Sequence, residues 1–178
     1  MELLSTSPSH TLQLLIAPLE VQQQLITRFT AELALSGPVR VLDGGNRFDV
    51  LRINRELRGK KTDYYAALER IKVARAFTCY QMLTLLEETG FTGSPTLVLN
   101  LLTTFRDENV PLPERQRLLR SALHWLEKAA RRDPVMIILH PPPAEDPFLE
   151  LLQAAVERLW VFDAAEPVHQ PPLFEFDR

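Results

Sequence analysis

The sequence predicts a single three-layer α/β domain, in which a mainly parallel β-sheet has helices on both faces. Five short apolar runs alternate along the chain with helical patterns, and each run is continuously apolar. Continuous runs are typical of parallel strands buried on both faces, and regular alternation of strand and helix is typical of parallel sheets. A chain of 178 residues, 46% of them apolar, is large enough to build one such core.

The predicted elements have recognisable boundaries. Pro113 falls in a first helical turn, where its missing N–H has no bond to lose, and Thr62 or Asp63 is the expected N-cap of the third helix. The core is expected over residues 1–165 and a Pro-rich tail over residues 166–178. The expected strands are 11–17, 39–43, 96–102, 135–140 and 158–163, and the expected helices are about 19–35, 47–58, 63–89, 113–132 and 145–156.

Composition limits the cellular location and the kinds of metal or disulfide chemistry that the protein can have. No apolar run approaches the ~20 residues that span a bilayer, and the N-terminus has no basic segment followed by an apolar one. We therefore expect a cytoplasmic protein without membrane contact. The single cysteine, Cys79, cannot form an internal disulfide, and no pair of His or Cys residues has the spacing of metal ligands. The expectation is a protein without a bound metal.

Charge is unevenly distributed along the chain, although the net charge is only -3. Residues 47–61 carry six Lys or Arg against two acids, and residues 115–132 carry six against one. Residues 144–178 carry eight acids against two arginines. This pattern predicts a basic face that could meet an anionic partner, with an ordinary solvated helix face as the alternative.

Three stretches resemble the ATPase core of the RecA/RadA recombinases. "ALERIKVARAFTCYQMLTLLEE" (67–88) is similar to a helix of archaeal and eukaryotic recombinases, and "VRVLDGGNRFDVLRI" (39–53) to a strand ending in Asp with its Gly- and Phe-containing turn. Residues 95–140 resemble the Walker B strand, the first DNA-binding loop, a helix and the sensor strand. The resemblance covers residues 11–163. It implies a RecA-like core of the P-loop NTPase superfamily, with its five predicted strands in the order 5-1-4-3-2.

The phosphate loop of that superfamily has the form G-x-x-x-x-G-K-[ST]. Laid on residues 12–29, the resemblance puts Ala17 at the first glycine and Gln22 at the second, with Gln23 at the lysine and Gln24 at the Ser/Thr. The glycines let backbone N–H groups wrap the phosphates, and the lysine offsets their charge. Alanine and glutamine do neither, so the resemblance implies a degenerate Walker A motif.

Other catalytic positions of the family are also changed. Asn100 stands where the Walker B strand has Asp, and an amide cannot supply the charge that holds Mg²⁺. Gly45 stands at the water-activating Glu, and His140 at the polar sensor. The resemblance therefore implies a protein with no catalytic residues and no nucleotide cofactor.

The loop over residues 103–117 falls at the first DNA-binding loop of the family. An aromatic residue that stacks on bases, beside arginines that contact phosphates, is typical of single-strand binding. Arginines three residues apart on the basic helix could serve the same purpose. The candidate DNA contacts are Arg52, Arg55, Phe105, Arg106, Arg115 and Arg117.

Three functions remain open at this stage. The expectation is an inactive RecA/RadA-like accessory of DNA recombination or repair, which binds a partner recombinase, a repair protein or single-stranded DNA. The alternative is an atypical ATP-binding protein or ATPase whose composite site is completed by a neighbouring subunit. In such an assembly, Arg106 or Lys128 of one subunit would contact the ATP bound to its neighbour. A third is a scaffold that binds neither nucleotide nor DNA. Self-association into a homo-oligomer is compatible with each of them.

Overall fold

The computed structural model describes residues 11–60, 63–89, 93–143 and 145–162, and within them six parallel strands form one sheet. The strands are β1 (Leu12–Ile16), β2 (Val39–Asp43), β3 (Ile71–Arg75), β4 (Thr96–Leu99), β5 (Val135–Leu139) and β6 (Arg158–Val161). The helices are α1 (Leu19–Ser36), α2 (Val50–Gly59), α3 (Tyr64–Glu69), α4 (Cys79–Glu88), α5 (Leu112–Ala130) and α6 (Pro147–Ala155), with a short 3₁₀ helix at Leu101–Phe105.

The strands lie in the order β3-β2-β4-β5-β1-β6. Every pairing is parallel; for example, Leu14 of β1 lies opposite Ile137 of β5 and Leu159 of β6. The five strands predicted from the sequence therefore lie in the expected order 5-1-4-3-2, and β3 extends the sheet beyond β2. The prediction of an α/β domain with a parallel sheet is confirmed.

Helices cover both faces of this sheet because successive strand residues point to opposite faces. Leu14 and Ile16 of β1 pack into one cluster, beneath α4, α5, α6 and the 3₁₀ helix. Leu15, between them, packs into a second cluster, beneath α1, α2 and α3. Both clusters are almost fully closed to solvent, and burying each large aliphatic side chain contributes roughly 1.5–3 kcal/mol. The two apolar clusters define the three layers.

The single helix expected over residues 63–89 is wrong. Residues 71–75 form the edge strand β3, which pairs Ile71 with Val39 and Val73 with Val41 of β2. Here pairing with a neighbouring strand outweighs the helical spacing, because β-branched residues favour a pleated surface. Asp63 and Thr78 cap the helices on either side of the strand.

Two other boundaries move. The strand expected over 96–102 ends at Leu99, because Asn100 adopts a left-handed conformation with φ of 50° and the chain then turns into the 3₁₀ helix. The basic helix begins at Val50 rather than 47, because Asp49 caps it with bonds to two backbone N–H groups. The expected tail, residues 166–178, lies outside the described residues.

Asp43 fixes the turn that follows β2. Its fully buried carboxylate accepts hydrogen bonds from the backbone N–H groups of Gly45 (3.1 Å), Arg47 (3.1 Å) and Phe48 (2.9 Å). The guanidinium of Arg75 on β3 lies 3.6 Å from the same carboxylate. Both oxygens are used, and a charged acceptor makes such bonds roughly twice as strong as neutral ones. Asp43 therefore holds the path from β2 to α2.

We expect Asp43→Asn to lower the free energy of unfolding by about 2 kcal/mol, because the new NH₂ group would face a backbone N–H that has lost its acceptor. Asp49→Asn is the matched control. Asparagine caps helices as well as aspartate does, so the expected loss is under about 1 kcal/mol. Urea unfolding of both variants measures the difference, and equal losses would contradict the assigned role of Asp43.

Candidate functional site

Ligand sites in open parallel sheets lie outside the carboxyl ends of the strands. Three neighbouring strands here, β4, β5 and β1, end next to one another at that edge of the sheet. The residues that follow them are Asn100, His140 and Ala17. The structure therefore brings together residues that the resemblance aligned with separate parts of a nucleotide site.

The segment aligned with the phosphate loop is mostly helix. Pro18 caps α1, which begins at Leu19, so only two residues separate it from β1. The N–H of Ala17 donates to the carbonyl of Leu139 (3.0 Å), and the N–H of Gln22 donates to the carbonyl of Pro18 (2.8 Å). A phosphate loop instead leaves several backbone N–H groups pointing at the ligand. The backbone N–H groups of Ala17 and Gln22 are therefore already used within the protein.

Gln22, Asn100 and His140 form a hydrogen-bonded cluster, which we call the Gln22–Asn100–His140 network. The Oδ1 atom of Asn100 accepts from Nε2 of Gln22 (2.9 Å) and from the backbone N–H of His140 (3.3 Å). Nδ1 of His140 also lies 3.0 Å from this oxygen. Because an amide oxygen only accepts, that contact requires a proton on Nδ1. The network therefore sets the tautomer of the neutral imidazole.

The network is closed to solvent on its amide side. Gln22 and Asn100 are 0% and 2% exposed. Nε2 of Gln22 also lies 3.5 Å from the carbonyl oxygen of Ile138, whereas its Oε1 atom has no partner among the described residues. A buried acceptor without a donor costs about 1–3 kcal/mol. The hydrogen bonds made by Nε2 must offset this cost for the glutamine to stay in this position.

Gly45 packs directly against the network. A Cβ atom at this position would lie 2.8 Å from Cβ of Asn100 and 2.9 Å from its Nδ2 atom. Any larger side chain would have to displace Asn100. The glycine at the position of the family's glutamate is therefore explained by close packing in this fold.

His140 is half-buried at the end of β5. Burial lowers its pKa from the usual value, and the positive charges of Arg106 and Arg47 lower it further. The imidazole is therefore mainly neutral at pH 7. A neutral ring suits the network, since the single proton on Nδ1 is the one donated to Asn100.

The glutamines at the other aligned positions lie outside the network. Gln23 is half-buried, and its backbone carbonyl accepts a bond from the hydroxyl of Thr27 (2.8 Å). Gln24 is exposed on the opposite side of α1, where it lines a groove. Of the seven residues aligned with the nucleotide site, four contact one another or pack together: Gln22, Gly45, Asn100 and His140.

Phe105 cannot serve as the expected base-stacking residue. It is fully buried in the core, with its ring centroid 6.5 Å from that of Phe148 on α6. The reason is the 3₁₀ helix, which turns the chain back onto the sheet directly after Asn100. A nucleobase could reach Phe105 only by displacing it from the apolar cluster.

The arginines of the same loop are engaged within the protein. Arg106 forms a 2.8 Å ion pair with Asp146, the N-cap of α6. Arg115 donates to the carbonyl of Phe105 (3.2 Å) and lies over the ring of Phe148. Arg117 pairs with Glu114 on the same helix (2.7 Å), and this pairing lowers the pKa of Glu114. Arg106 and Arg115 are therefore held by internal contacts, whereas Arg117 remains exposed in a surface ion pair.

Arg52 and Arg55 lie in a groove between α1 and α2, which we call the α1–α2 groove. Its open volume is about 510 Å³. The sequence predicted the two arginines as contacts, but not the residues of α1 that line the same groove. The packing of one helix beside another has no signal in the local sequence. The groove is lined by Gln24, Thr27, Arg28, Arg52, Arg55, Glu56, Gly59 and Lys60.

Comparison with protein-family models finds no matching family, and a search of curated proteins finds no match. Across the described ranges, no helix is both long and apolar enough to cross a membrane. The same part of the chain holds no group of three or more His, Cys, Asp or Glu side chains that could bind a metal ion. The function must therefore be argued from the site itself.

We expect Gly45→Ala to lower the free energy of unfolding by about 1–3 kcal/mol, because the added methyl group overlaps Asn100 in a closely packed site. Gly59→Ala is the matched control, since nothing lies within 4 Å of a Cβ built there. The control should be neutral, or stabilising by up to about 1 kcal/mol. Chemical denaturation compares the two, and a neutral Gly45→Ala would show that Asn100 is not fixed in position.

The lowered pKa of His140 predicts that its contribution to stability is lost as the pH falls. The unfolded chain binds a proton near pH 6.5 and the folded chain only at lower pH, so protonation favours unfolding below about pH 6.5. His140→Gln removes this contribution. Its free energy of unfolding should therefore fall less than that of the natural protein between about pH 7.5 and pH 5.5. Identical pH dependence in urea titrations would exclude the role given to His140.

Proposed function

We infer that this protein is a non-catalytic, RecA/RadA-like accessory of DNA recombination or repair, acting through contacts with a partner protein or with DNA. One observation carries the non-catalytic part: the Gln22–Asn100–His140 network occupies the sheet edge where a nucleotide would bind, and its polar groups bond to one another. The placement in recombination rests on the resemblance of residues 39–53, 67–88 and 95–140 to recombinase segments.

The groups at this edge are unsuited to Mg²⁺. Magnesium sites use carboxylates together with phosphate oxygens, and here the strand end offers the amide of Asn100. Asp43, the nearby carboxylate on β2, already accepts three backbone hydrogen bonds. Glu20 adds a negative charge to the first turn of α1, where a phosphate would need a positive one.

An inactive domain of this kind acts by binding. A fold alone does not define a function, so the partner must be sought in surfaces rather than in the sheet edge. The exposed arginines Arg52 and Arg55 support an anionic partner, whereas Phe105 and Arg115 are engaged in the core. We therefore propose contacts away from the loop that the resemblance suggested.

The alternative, an ATPase completed by a neighbouring subunit, gains no support from the side chains that would be lent. Arg106 is paired with Asp146 at 2.8 Å. The ammonium group of Lys128 lies 4.6 Å from the centroid of the Trp125 ring. Both cations would have to leave these contacts before reaching a nucleotide on another chain.

The proposal predicts that ATP–Mg²⁺ at millimolar concentration leaves the thermal melting midpoint unchanged within about 1 °C. A ligand at ~100 times its dissociation constant would add about 2.7 kcal/mol and raise the midpoint of a domain of this size by several degrees. The measurement is melting of the purified protein with and without ATP–Mg²⁺, together with a phosphate-release assay that should show no hydrolysis.

Two variants make this test decisive. Gln23→Ala changes the position aligned with the catalytic lysine but lies outside the network. Asn100→Asp supplies a carboxylate at the position aligned with the Walker B aspartate. Neither variant should gain or lose nucleotide binding. A clear shift in the natural protein that disappears in Gln23→Ala would overturn the non-catalytic assignment and favour the atypical ATP site.

A further inference from the structure

We propose that the α1–α2 groove binds the phosphate backbone of duplex DNA, a role whose biological setting rests on the proposed function. The groove contains four cationic side chains and one carboxylate. The cations come from two helices that are far apart in sequence: Arg28 from α1, and Arg52, Arg55 and Lys60 from α2 and its C-cap. Such a concentration of like charge favours a polyanion.

Two of the cations are free to meet a ligand. Within the described residues, the guanidinium groups of Arg28 and Arg55 have neither an ion-pair nor a hydrogen-bond partner. Arg52 lies 3.3 Å from Asp49, and Lys60 lies 3.7 Å from Glu56. These side chains are about half exposed, and exposed pairs contribute little, so phosphate can replace the carboxylates at small cost.

The length of the charged row favours a strand of phosphates over a single anion. On α2, Arg52, Arg55, Glu56 and Gly59 recur at the three- and four-residue spacing that places residues on one helix face. Arg52 and Lys60 are eight residues apart, which corresponds to about 12 Å along a helix axis. A nucleic-acid backbone presents phosphates along the whole of such a row, whereas a single phosphate group offsets only part of its charge.

The residue types that line the groove favour DNA over a protein partner. Apart from Gly59, every residue that lines the groove has a polar or charged side chain, and none of them is aliphatic or aromatic. Protein partners are held mainly by buried apolar and aromatic anchors, for which this groove offers no pocket. Phosphate contacts need only cations and hydrogen-bond donors, and arginine matches the geometry of phosphate better than lysine does.

The same lining favours duplex over single-stranded DNA. Single strands are typically held by aromatic side chains on which their bases stack, and the groove has none. Duplex DNA needs no stacking platform, since its backbone alone supplies non-specific affinity. The expected binding is therefore independent of base sequence and strongly dependent on salt.

The test is fluorescence anisotropy with a labelled duplex of about 20 base pairs and the matching single strand, at salt between about 50 and 200 mM. We expect the natural protein to bind the duplex more tightly than the single strand. Arg28→Glu combined with Arg55→Glu should weaken duplex binding at least about tenfold. It should also reduce the slope of log affinity against log salt by about 2, one for each lost phosphate contact.

Arg120→Glu combined with Arg132→Glu is the matched control, because it makes the same change in net charge at exposed positions outside the groove. The control should keep its affinity within about threefold if binding is localised to the groove. Circular dichroism of all variants shows that they remain folded. Equal loss in both double variants, tighter binding of the single strand, or no duplex binding at low salt would each overturn the proposal.

The DNA and nucleotide experiments separate the two proposals. If the protein binds neither ATP–Mg²⁺ nor duplex DNA, the non-catalytic assignment stands and the proposed DNA-binding role of the groove is rejected. If the protein binds ATP–Mg²⁺ and also binds DNA through Arg28 and Arg55, the role of the groove is supported and the non-catalytic assignment is rejected. The two sites share α1 but use different sides of it, with Gln22 buried and Arg28 exposed.

Discussion

The side-chain oxygen of Asn100 is the acceptor on which the ligand-facing edge of the sheet depends. It joins Gln22 of α1 and His140 at the end of β5 to the end of β4, through contacts of 2.9, 3.3 and 3.0 Å. One buried atom thus holds three elements together. Because an unpaired buried polar group costs about 1–3 kcal/mol, removing the Asn100 oxygen would leave Nε2 of Gln22 and Nδ1 of His140 without this acceptor. Asn100 has a left-handed backbone at this point, with φ of 50°.

This arrangement has a chemical consequence for the strand ends. Open parallel sheets commonly bind ligands at this edge because backbone and side-chain polar groups there are left for a ligand to use. Here Gln22, Asn100 and His140 bond to one another, and a Cβ atom at Gly45 would lie 2.8 Å from Cβ of Asn100. A ligand would have to break these bonds before making its own. The early start of α1 at Leu19 also disfavours ligand binding, because the N–H of Gln22 is bonded inside the helix.

Sequence reasoning predicted the strands that are buried on both faces, because continuous apolar runs are a local signal. The resemblance, rather than any local pattern, implied that Asn100 and His140 belong to one site. Sequence reasoning missed β3, because residues 63–89 were assigned to one helix and the strand Ile71–Arg75 is defined by its long-range pairing with β2. It placed Phe105 on the surface, because nothing in the local pattern signals that a 3₁₀ helix returns this ring to the core. Arg28 was missed because the groove exists only once α1 and α2 pack.

The three consecutive glutamines at the start of α1 belong to two different surroundings, the strand ends and the α1–α2 groove. Successive residues of a helix point about 100° apart, so neighbouring side chains face different surroundings. Gln22 faces the strand ends and bonds to Asn100, whereas Gln24 faces solvent and lines the α1–α2 groove. A lysine and a hydroxyl residue at the start of such a helix would serve a phosphate loop. Here the uncharged Gln22 lies on the inner face, whereas Arg28 and the arginines of α2 place positive charge in the α1–α2 groove. The proposed lack of nucleotide binding and the proposed binding of DNA are therefore compatible, because they concern opposite sides of the same helix.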